Sequence, residues 1–109
     1  MATTYKVLGQ SAPAATTATT LYTVPSATEA VVSTVTVCNR SSTNATFRIA
    51  VRPSGATLAN EHYIAFDATL LANDTKALTL GITLSATDVV TIYASTANLS
   101  FSLFGSEIA

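Results

Sequence analysis

The sequence holds one cysteine, Cys38, and one histidine, His62. A single thiol excludes an intramolecular disulfide and any zinc site built on paired thiolates, leaving one imidazole and a few carboxylates for metal binding. Charge is equally scarce: charged residues make up 10% of the chain, against roughly 25% in an average domain. The formal net charge is -1, and the five basic residues are too few and too scattered for the basic patch that nucleic acid requires. No apolar run approaches the ~18 residues of a membrane span. "MATTYKVLGQ" also lacks the charged and then apolar regions of a signal peptide, so synthesis and folding in a cytoplasm are expected.

What is present is apolar and neutral polar. Hydrophobic residues are 49% of the 109, so the exterior must be covered largely by Thr, Ser and Asn. A chain of this length is expected to form one domain over residues 1–109, removing about 65% of its unfolded surface from water around one core. Asn-x-Ser/Thr matches at Asn39, Asn44, Asn73 and Asn98 arise by chance in a chain this rich in Ser and Thr.

The apolar period is 2. In "FRIAVR", Phe47, Ile49 and Val51 share one face, and in "LSFSLF" Leu99, Phe101 and Leu103 do. "ALTLGITLS" reads as one strand with Leu78, Leu80, Ile82 and Leu84 on one face. With "TYKVLG", "TTLYTV", "EAVVSTVTVCN", "HYIAF" and "VVTIYAS", about eight strands follow one another at short spacing, with Pro25-Ser26 and Pro53-Ser54-Gly55 as breaks. The expected fold class is all-β, a single antiparallel β-sandwich or jelly-roll-like domain. The apolar face of the third strand shifts near Val31-Val32, which predicts a bulge, a strand shared between sheets at a corner, or a fully buried strand. Residues 9–20, "GQSAPAATTATT", are low-complexity and read as a loop or an arm held by a neighbour.

Catalytic constellations fail one by one, so the chain reads as no enzyme. No nucleophile-elbow pattern surrounds any Ser, and His62 beside Tyr63 reads as a polar strand residue. Asp67, Asp74 and Asp88 stand at separated turns that call for backbone capping, not in a calcium loop, so no metal or cofactor is implied. Cys38 reads as a small buried hydrophobe. Tyr5, Tyr22, Tyr63 and Tyr93 fall on four different strands, which suits core edges and rims better than a stacking platform. Arg48 and Arg52 on the outward side of one strand, with Arg40 just upstream, are the one local concentration of positive charge and the candidate interface residues.

The stretch "TTLYTVPSATEAVVSTVTVCN" resembles a recurrent segment of small virion structural proteins of tailed bacteriophages, including cyanophages. The elements are Leu21, Tyr22, Val24 and Pro25, a polar turn, then Val31, Val32, Val35 and Val37 running into Cys38-Asn39. The likeness continues through "ATFRIAVRPSG", "LLANDTKALTLGITLSATDVVTIYAS" and "LSFSLFGSEI". The resemblance implies a non-enzymatic virion component that decorates or braces the capsid through strand edges and the arm. Major capsid or tail and neck proteins, and further copies of itself, are the implied partners. The alternative it implies is a neck, tail, baseplate or fibre-associated module touching the host surface.

Overall fold

Side chains that alternate across an extended chain give each strand an apolar face, and two sheets bury those faces against each other. The computed structural model describes residues 2–109. Among the described residues there are nine strands: β1 (Thr3–Ser11), β2 (Thr19–Thr23), β3 (Glu29–Asn39), β4 (Ala45–Arg52), β5 (Tyr63–Leu70), β6 (Thr75–Leu78), β7 (Ile82–Leu84), β8 (Val89–Ala94) and β9 (Leu99–Ile108). One sheet has the order β1-β9-β3-β6 with β7 also on β3, and the other has β2-β8-β4-β5. Every pairing is antiparallel. With β6 and β7 counted as one interrupted strand, this is jelly-roll order, as the sequence pattern predicts.

The interruption is where the strand reading of "ALTLGITLS" fails. Gly81 sits at φ +64°, which breaks the extended chain and turns Leu80 out, 50% exposed, while Leu84 is buried. β6 therefore pairs with Val35–Cys38 and β7 with Ala30–Val32 of the same long strand.

The face shift in β3 is a bulge. Ala30 and Val32 point inward, then Val35, Val37 and Asn39 do, because Ser33 is an extra residue between Val32, opposite Gly105, and Thr34, opposite Phe104. A matching extra residue in β1, Leu8, lies on the other side of β9 between Val7 and Gly9. The two bulges straddle Phe104-Gly105, and the backbones approach so closely that a Cβ on Gly105 would overlap the Val31 carbonyl. Gly9 has the same requirement against the Leu21 carbonyl of β2, while it stays paired with Leu103 of β9.

Between the sheets, Phe47 and Phe101 meet edge to face with ring centres 6.3 Å apart, alongside Ile49, Leu70, Ile92 and Leu103, all buried. The alternation in "FRIAVR" and "LSFSLF" thus places its apolar residues inward. Cys38 differs from expectation: Val35 and Val37 take the inner face, so its thiol is half-buried on the outer side. Of residues 9–20, Gly9–Ser11 complete β1 and Thr19–Thr20 begin β2. The connection between them is tied down by burial of Pro13 and by the Thr16 N–H donating to the Ala94 carbonyl at 2.8 Å. Ala2 and Ala109 exchange both backbone hydrogen bonds, at 2.7 and 2.9 Å, extending the β1–β9 ladder.

Candidate functional site

Three outward residues of β4, Arg48, Ala50 and Arg52, begin the outer face of the second sheet, opposite Tyr93, Thr91 and Val89 of β8. On the other side, β5 is irregular. Phe47 pairs with Ala68 and Ile49 with Ala65, so Phe66 and Asp67 together oppose Arg48, and Ile64 is a second extra residue before Tyr63. Asp67 takes a positive φ of +50° at this bulge. The distortion re-aims two neighbouring side chains at one arginine, a common use of bulges at functional surfaces.

The Arg48 guanidinium consequently lies between two rings, 4.2 Å from the centre of Phe66 and 4.3 Å from that of Tyr93. Its Nε donates to Asp67 Oδ1 at 2.7 Å and Nη2 to Oδ2 at 3.3 Å. Arg48 holds the Asp67 carboxyl below its usual range, chiefly through that hydrogen bond. The pair is exposed and adds little net stability. What it supplies is orientation: it fixes Phe66, 56% exposed, with Tyr63 packed edge to face at 4.9 Å. Asn60, Tyr63 and Phe66 line an open groove of about 460 Å³.

Arg52 sits on the same face but is occupied differently. Its Nε donates to Thr91 Oγ1 at 3.0 Å and its Nη1 to the Ala56 carbonyl at 3.0 Å, which secures the turn after β4. Arg40 stands apart on the loop after β3, where Nη2 donates to the Ala97 carbonyl at 3.0 Å. The fold therefore brings Arg48 and Arg52 together and leaves Arg40 elsewhere. The aromatic partners were not legible in the sequence; the signal available was the broken alternation of "YIAFD", where Tyr63, Ile64 and Phe66 cannot all face a core.

Other candidate groups have structural tasks. His62 Nδ1 accepts the Ala59 N–H at 3.0 Å. Asp88 accepts the N–H groups of Ser54 and Ser85, both at 2.8 Å, and Asp74 that of Thr75 at 2.9 Å. Among the described residues, no group of three or more His, Cys, Asp and Glu could hold a metal ion, and no helix is long and apolar enough to cross a membrane. Asn39, 2% exposed, is fully engaged in the interior and leaves its sequon no accessible amide.

A second polar cluster ties the sheets together. Glu107 follows Leu103 and Gly105 on the inner face of β9, where its Oε2 accepts the Tyr22 hydroxyl and its Oε1 accepts Lys6 Nζ at 3.0 Å. Burial, then the Glu107 contact, pushes the Tyr22 hydroxyl well above its usual range. The Tyr22 bond, then the Lys6 bond, holds Glu107 below its own. A depressed carboxylate stabilises the fold fully above its unfolded pKa, about 4.3, and loses that contribution as pH falls through the folded value. A raised phenol stabilises below about 10 and loses its contribution as pH rises further. Tyr22→Phe is expected to cost about 1.5 kcal/mol at pH 7 and to flatten the stability loss above pH 10. Urea unfolding across pH checks this, and an unchanged alkaline limb would contradict it.

Compared with family models, curated proteins and solved structures, the chain matches none.

Proposed function

We propose that this chain is a non-enzymatic structural component of a bacteriophage virion that decorates or braces the capsid. The full-length resemblance of its strand segments motivates the phage context. The observation that carries the assembly role is the outer face of β4 and β5: Phe66 stands 56% exposed, held by the Arg48 guanidinium with half-buried Tyr63 beside it, and Asp67 neutralises Arg48. Exposed aromatics fixed beside an arginine are the residue types that anchor protein interfaces. Neutralised charge suits a protein surface better than a phosphate backbone. Jelly rolls are recurrent in capsid proteins, which is a likeness of fold alone.

A second reading, a module on the neck, tail, baseplate or fibre that contacts the host surface, draws on the same groove. Asn60 beside two aromatic rings offers polar and apolar contacts of the kind a small ligand needs.

Electron cryomicroscopy of particles from the encoding phage tests both. Symmetric copies on the head shell, with β4 and β5 against the capsid, are expected, and Phe66→Ser is expected to lower occupancy about tenfold. The melting temperature of F66S should stay within a few degrees of the parent, because the ring is largely exposed. Density at the neck, baseplate or fibre transfers the assignment to the second reading. Purified particles without the chain would overturn both.

A further inference from the structure

The free edge of β1 carries more information than its exposure. Ala2 and Ala109 form a reciprocal hydrogen-bonded pair, so in the antiparallel ladder Thr4–Glu107 and Lys6–Gly105 are the next such pairs. Thr3, Tyr5 and Val7 alternate with them, and their N–H and C=O groups point away from β9 toward the edge. All residues from Thr3 to Val7 are exposed, Tyr5 to 84% and Val7 to 47%, and their register to β9 is unbroken.

The other edges are blunted. β2 has a register shift between Thr20 and Tyr22. β5 carries two shifts and the positive φ of Asp67. β6 and β7 are separated at Gly81. Bulges and breaks of this kind discourage edge pairing, which leaves Thr3–Val7 as the regular segment.

We propose that two copies of this chain associate about a two-fold axis through Tyr5, their β1 strands pairing antiparallel across the Thr3–Val7 edge. With the axis there, Tyr5 opposes Tyr5 of the second copy and Thr3 opposes Val7. All six outward N–H groups then meet six outward C=O groups, giving six hydrogen bonds and an isologous contact. No other centre within the segment satisfies all of them. Lys6 comes opposite Thr4 instead of another lysine, and its charge is already engaged by Glu107. On the outer face the two Tyr5 rings cover one another. The use of such a pair in a particle rests on the proposal above, but the pairing itself does not.

The test uses the full chain in solution. Sedimentation equilibrium should show a concentration-dependent species of twice the 11.2 kDa chain mass. Tyr5→Pro removes an outward N–H without touching the β1–β9 ladder, so Tm should hold while the dissociation constant rises at least about thirtyfold through two lost bonds. In a Cys38→Ser background, Tyr5→Cys sets the two new thiols on Cα atoms about 5.5 Å apart, and mild oxidation should cross-link the pair. Val7→Cys alone should not cross-link, since Val7 faces Thr3. A monomer at all concentrations, or a dimer that ignores Y5P and yields no Y5C cross-link, overturns the proposal. A solution dimer from a chain missing from virions retains it and removes the phage assignment.

Discussion

Gly105→Ala is expected to cost about 3 kcal/mol or more of folding stability, lowering the urea midpoint by about 2 M at an unchanged slope. The added methyl would overlap the Val31 carbonyl oxygen and press on the Val31 carbonyl carbon and Val32 Cα. These are backbone atoms of a central strand pair, so no side chain can rotate aside. The contact is close because the extra residues Ser33 and Leu8 bend the sheet on both sides of Phe104-Gly105. Gly81→Ala provides the contrast. There the methyl meets open space and the cost is the positive φ alone, about 1 kcal/mol. If Gly105→Ala proved no worse than Gly81→Ala, the bulged junction would have to be far more pliable than its geometry implies.

The second large effect is expected from Asn39→Asp, about 4 kcal/mol at pH 7, with shape unchanged. Asn39 Nδ2 donates to the carbonyls of Thr43 at 2.8 Å, Leu71 at 3.2 Å and Leu70 at 3.4 Å. Oδ1 accepts the Ser41 N–H at 3.0 Å and the Ser41 hydroxyl at 2.9 Å. One buried amide thus joins the β3–β4 loop to the end of β5. An aspartate would turn an anionic oxygen toward three carbonyls. Burial and those carbonyls would raise its folded pKa above the unfolded value of about 3.9. The stability deficit relative to the parent should accordingly be smallest below pH 4, grow as pH rises, and level off above the folded pKa. Unfolding both proteins at pH 3.5 and pH 7 measures this, and equal deficits at the two values would remove the charge argument.

These two positions also mark how far the sequence could be read. The strands around Phe47, Phe101 and Val35 were legible because burial on one face leaves a period of 2, and the face shift in β3 announced its bulge. Leu80 misled, since one residue at positive φ ends an alternation that continues on paper. Asn39 could be seen as the end of the third strand, but its carbonyl partners Leu70 and Leu71 lie more than thirty residues away. The outer-face cluster was hidden for a related reason. Arg48, Arg52 and Arg40 stand out as a local excess of charge, yet Asp67, which neutralises Arg48, is 19 residues on. Phe66 joins that cluster through a bulge in β5 that only strand pairing reveals.

The reciprocal bonds between Ala2 and Ala109 give the molecule a polarity that an engineer can use. The chain enters and leaves at one pole, while the turn joining β8 to β9 lies at the other end of β9, about 33 Å away at the rise of a strand. A short linker could splice residues 2 and 109 into a circular permutant reopened at the distant turn, with its ladders retained. A bright tag at each pole would serve as a compass, reporting which way every copy points in whatever lattice it occupies.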